Sequence, residues 1–165
     1  MKKKLLIAAI SFLLIFIAMR FQGASLKTAI TPGGILNLEF ANSPAKLIEA
    51  LNTWDLTVAK QNIWIDFLFI PSYVLLISML AAFCASKWEN TLLIRIGSLL
   101  TKAAFVAGVL DIAENLLMLE SIAGNYTPSS LWLTYYCAGI KFLIVSIAVL
   151  YIIISIPVLL KNNQS

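Results

Sequence analysis

Two stretches carry polar groups that an apolar chain can bury only at a cost. GVLDIAEN, residues 108–115, sets Asp111, Glu114 and Asn115 inside a long hydrophobic run, and IDFLFIPSY, residues 65–73, sets Asp66 and Tyr73 in another. Further on, Lys141 lies in a third run, with Thr134 and Cys137 on its face of a helix and Tyr135 and Tyr136 nearby. Asp111 to Glu114 is an i,i+3 spacing and Asp111 to Asn115 an i,i+4 spacing, so on a helix these side chains share one face. Asp66 and Tyr73 fall on one stripe, separated by roughly 10 Å of rise.

The chemistry open to such a set is that of protons and charge. A carboxylic acid kept neutral by burial donates a proton, and an ionised neighbour accepts one or stabilises a cation. The chain has no histidine, which rules out His-containing zinc, haem or di-iron sites and both Ser-His-Asp and Cys-His catalysis. Cys84 and Cys137 form no C-x-x-C pair and are read as small apolar fillers. The expected polar site is therefore Asp66, Tyr73, Asp111, Glu114, Asn115 and Lys141, with no metal and no cofactor.

The elements that position these residues follow from composition. Of 165 residues, 61% are hydrophobic and 12% charged, against about 25% charged in a soluble domain. The expected class is an all-α, polytopic membrane protein forming a single membrane domain. A helix needs about 20 apolar residues to span the hydrocarbon core. Four stretches meet or approach that length, at about residues 5–20, 63–85, 97–119 and 131–160. The first begins LLIAAISFLLIFIAM after three lysines; bulky and polar residues follow it where a signal peptide would need small ones, so it is read as an uncleaved anchor. Short connections between the last three spans predict an antiparallel four-helix bundle. Net charge is +4, but the basic residues are scattered and mostly flank the spans, which argues against nucleic acid as a partner.

Orientation follows from the same flanks. With Lys2, Lys3 and Lys4 cytoplasmic, Lys87, Arg95, Lys102 and Lys161 join them, whereas Arg20, Lys27, Lys46 and Lys60 lie outside. Both termini are then cytoplasmic, the connection 21–62 is an extracytoplasmic loop, and the compact chain with its basic start is read as a protein of a bacterial inner membrane. Inside this loop Ser43 suits an N-cap and Pro44 the first helical position, and Leu47, Leu51 and Trp54 share a face, predicting an amphipathic helix over 44–54. Asp55 is a second candidate helix start, leading directly into the next span. Trp54 and Trp64 are expected at headgroup depth, and Pro71 is expected to kink its helix and free a carbonyl within the site. The tail KNNQS is polar.

Burial of each charge near the bilayer centre costs about 2.5–3.5 kcal/mol. The charged side chains are therefore expected to face inward and meet, in the half of the bilayer nearer the 21–62 loop. One lysine cannot neutralise Asp66, Asp111 and Glu114 together. A leftover acid must stay protonated, reach water or meet a cation.

With IDFLFIPSY, GVLDIAEN and LEFANSPAKLIEALNTW (38–54) in view, the chain resembles a family of small four-helix bacterial membrane proteins. In these, an Asp-Phe-Leu-Phe-Ile-x-x-Tyr segment opens one span and an Asp-x-x-Glu-Asn segment sits in the next. The resemblance covers roughly residues 36–120. It implies the fold and the choice of Asp66, Asp111, Glu114 and Asn115, and it transfers no activity. Three readings stay open. The first is a pocket for a lipid-like or small amphipathic ligand among the membrane lipids, where any catalysis would be acid–base isomerisation or cyclisation. The second is proton- or cation-coupled transport by a homo-oligomer or larger complex. The third is an accessory subunit that uses its charges for helix assembly.

Overall fold

Side-chain caps set where the helices begin. Asp55 accepts from the Thr57 amide at 2.8 Å, Asn90 from the Leu92 and Leu93 amides at 2.9 and 3.3 Å, and Ser43 from the Lys46 amide at 3.4 Å. Each satisfies amides that a helix leaves unpaired at its start. The computed structural model describes residues 2–161, so the KNNQS tail lies outside the described residues apart from Lys161. Its helices are α1 (Lys2–Gln22), α2 (Leu36–Glu39), α3 (Pro44–Leu51), α4 (Leu56–Ala85), α5 (Thr91–Ile122) and α6 (Pro128–Lys161), with a 3₁₀ turn at Gly23–Leu26. There is no strand among the described residues. Helices α1, α4, α5 and α6 are long and apolar enough to cross a membrane, which makes the chain a multi-pass membrane protein.

The four expected spans lie within these helices, and three expectations about their surroundings need correction. The connection before α4 is shorter than 21–62, because α1 runs to Gln22 and the Asp55 cap starts α4 at Leu56. The amphipathic helix stops at Leu51 rather than 54. Trp54 does not anchor at the headgroups: it is buried, and its indole N–H donates to Thr31 Oγ1 at 2.9 Å. Thr31 Oγ1 in turn donates to the Leu26 carbonyl at 2.8 Å. Trp54 thus belongs to a small core with Leu26, Leu38, Ala41, Leu47 and Ala50, extended by Ile63 and Met118 of the long helices. Trp64, by contrast, is exposed.

Helix α4 touches all three other long helices, and α5 packs on α6. Small residues let these backbones come close, as membrane interfaces favour: Ala81, Cys84, Ala104, Ala107 and Ala148 are buried. Gly108 lies at one such close approach, since a Cβ there would stand 2.8 Å from Val74 Cγ2 across the α4–α5 contact. Helix α1 is different, because none of residues 3–22 is buried. It leans on α4 through Phe12 and Phe16 against Phe69, with ring centroids 5.2 and 6.0 Å apart. At its end Asn62 Nδ2 donates to the Met19 carbonyl at 3.0 Å and to Gln22 Oε1 at 2.8 Å.

The close approach at Gly108 predicts that Gly108→Ala lowers stability by about 1–3 kcal/mol, the usual range for overpacking. Thermal unfolding in detergent measures this, and an unchanged midpoint would show that α4 and α5 have slack there.

Candidate functional site

Lys141, on α6, is the centre of the site. Its Nζ lies 2.8 Å from Asp111 Oδ1, 3.0 Å from Glu114 Oε2 and 3.5 Å from Glu39 Oε2. All four residues are buried, Glu114 completely. The Phe142 ring covers the ammonium at 4.8 Å from its centroid. Desolvation of a charge is repaid only by good geometry and several partners, and here one ammonium, with its three donors, faces three carboxylates. Asp111 also accepts, through Oδ2, from the Tyr73 hydroxyl at 2.9 Å. Asn115 bridges to α4 by donating from Nδ2 to Asp66 Oδ2 at 2.7 Å.

The structure therefore brings together all the expected polar residues: Asp66 and Tyr73 from α4, Asp111, Glu114 and Asn115 from α5, and Lys141 from α6. Glu39 was missing from that set. It ends the short helix α2, which packs against α5 and α6, and so reaches Lys141 from the loop. The available signal was a single acid in LNLEFAN, among apolar residues, within a stretch that the family resemblance covered. Thr134 and Cys137 are buried on the Lys141 face of α6, but Thr134 donates to the Ser130 carbonyl and neither lines the cavity described below. Tyr136 stacks on Trp132 and Tyr135 meets it edge-on, instead of joining the site. Pro71 also plays no part: it is exposed, α4 continues through it, and it lies nearly opposite Tyr73 around the helix.

A cavity of about 530 Å³ opens beside this network. Its polar end is lined by Glu39, Asp66, Tyr73, Asp111, Asn115 and Lys141, with Arg20 and Lys27 toward the loop. Away from the loop the lining is apolar: Phe12 and Phe16 of α1, Phe69, Leu76, Ile77 and Leu80 of α4, and Val145, Val149, Ile152 and Ile153 of α6. Phe69 is thus part of the wall. Because Phe16, Phe142, Val149 and Ile153 line the cavity and are also exposed, it is open sideways between α1 and α6.

Among the residues that meet Lys141, Glu39 alone comes from outside the spanning helices. Burial pushes its carboxyl above the ordinary value, against the pull of the Lys141 ammonium. Comparison with protein-family models, curated proteins and solved structures gives no match to this chain.

Two predictions follow from these contacts. Lys141→Met leaves buried carboxylates without a counter-charge and should cost about 3–5 kcal/mol. Adding Asp111→Asn and Glu114→Gln should restore much of that loss, and additive losses in unfolding titrations would show that the groups are independent. The second concerns pH. A carboxyl whose folded-state pKa is raised contributes stability that is complete below the ordinary carboxylate range and is lost as pH rises through the raised value. Proteolysis of the 27–55 loop should therefore quicken with rising pH, and Glu39→Gln should flatten that dependence. An unflattened profile would exclude Glu39 as its source.

Proposed function

We propose that this chain is an antiparallel four-helix bundle of the bacterial inner membrane that holds a lipid-like amphiphile in the lateral cavity between α1 and α6. The observation that carries this reading is the division of that cavity into a charged, hydrogen-bonding end and a long apolar end. Ligand pockets are mostly apolar with a few well-placed polar groups, and usually fall at about 300–1,000 Å³; about 530 Å³ lies within that range. From Phe69 to Leu80 the apolar wall of α4 rises about 16 Å, close to half of the ~30 Å hydrocarbon core. A tail in this groove would run along that wall toward the bilayer midplane, with its head at Asp66 and Asn115. The scatter of Lys and Arg favours cytoplasmic termini, which puts the head in the outer leaflet. Four short-linked helices fit the antiparallel arrangement.

A structural reading competes, and the threefold engagement of Lys141 favours it, since that group needs no ligand to be satisfied. The two readings divide the residues. Lys141, Glu114 and Asp111 serve assembly under either one, whereas Asp66 and Asn115 face the cavity and are left for a ligand.

Lipid extracted from the purified full chain and identified by mass spectrometry tests the proposal. One lipid class should be enriched over the bulk membrane composition, and Val149→Trp, which fills the groove at an exposed position, should reduce its retention several-fold while leaving the melting temperature nearly unchanged. Retained lipid that mirrors the bulk membrane and ignores Val149→Trp would sink the reading.

A further inference from the structure

The polar end of the cavity is short of hydrogen-bond donors. Lys141 has three N–H donors and spends them on Asp111, Glu114 and Glu39. Asp66 receives a single hydrogen bond, from Asn115, and has no cation within ion-pair distance among the described residues. An ionised carboxylate can accept about four. Asn115 is fully buried, and its Oδ1 has no donor at all. Turning the amide would set that oxygen against Asp66 Oδ2, so the deficit does not depend on which way the amide faces. Both residues line the cavity.

The rim has the opposite character. Arg20 and Lys27 line the same cavity toward the loop, both exposed and neither in an ion pair among the described residues. The cavity thus presents unpaired acceptors within and unpaired cations at its mouth. An amphiphile matching both needs N–H donors on a positive group and a negative group within the same head.

We infer that the groove selects an aminophospholipid, with its primary ammonium donating to Asp66 and Asn115 and its phosphate held by Arg20 and Lys27; this rests on the lipid-binding reading above. A hydroxylated head such as that of phosphatidylglycerol brings donors without the positive charge. A choline head brings the charge without an N–H. Phosphatidylethanolamine brings both.

Native mass spectrometry of the detergent-solubilised full chain, offered equal amounts of dioleoyl phosphatidylethanolamine, phosphatidylcholine and phosphatidylglycerol, tests the assignment. Wild type should retain the ethanolamine lipid about tenfold over each of the others, the ratio expected from one charge-assisted hydrogen bond. Asp66→Asn should remove that preference. Arg20→Gln with Lys27→Gln should lower retention of all three lipids alike. Because the wild-type ranking needs no variant, the assignment can fail even if Asp66→Asn does not fold. Equal retention of the three, or a preference for phosphatidylglycerol or phosphatidylcholine, overturns the amine assignment and leaves the groove standing. Retention of none overturns the groove and the assignment together.

Discussion

A single ammonium inside the bundle constrains the rest of the molecule. Lys141 cannot be buried alone, and meeting its requirement fixes which faces of α5 and α6 turn toward each other and where the loop must come down. Asp111 and Glu114 sit one turn apart because both must reach one nitrogen. Glu39 adds the condition that the loop helices fold before, or together with, their docking on the bundle. The Thr31–Trp54 hydrogen bond and the small core around it make that loop a shaped object rather than a tether. The network therefore joins the spanning helices to the loop through one atom.

Much of this was legible in the sequence, for physical reasons that can be named. The spans appear as long apolar runs, and the i,i+3 and i,i+4 spacings alone put Asp111, Glu114 and Asn115 on one face. Capping chemistry located Ser43 and Asp55 correctly, because a cap is a contact between residues two or three apart. What sequence could not supply was contact across the chain. Glu39 meets Lys141 over 102 positions, and nothing in LNLEFAN says that its acid turns inward. Trp54 looked like an interfacial anchor because tryptophan is enriched there; its indole N–H found Thr31 instead, 23 positions away. Pro71 removes a donor from α4, but its position around the helix kept that loss away from the site.

The cavity owes its shape to an imbalance among the helices. Helices α4, α5 and α6 share a core of small side chains and aromatic rings, including Tyr73 and Tyr151. Among the described residues, α1 adds no buried side chain and meets α4 along one line, so the side of the bundle between α1 and α6 stays open. An opening toward lipid suits a ligand that is itself a component of the membrane. It also places the polar residues where a head can reach them only after its tail has found the apolar wall.

That loosely held helix has a mechanical consequence. The apolar run of α1, residues 5–19, is shorter than the ~20 required to cross a typical bilayer, and a short span is met by local thinning of the bilayer and by snorkelling of the flanking Lys and Arg. Its fixed points are the Asn62 hydrogen bonds at one end and the Phe69 contacts partway along. None of residues 3–22 is buried, so bilayer thickness acts on α1 before it acts on Lys141 and its carboxylates. The α1 side of the lateral gap is therefore the wall most exposed to membrane thickness, a property of the lipid phase rather than of any bound molecule.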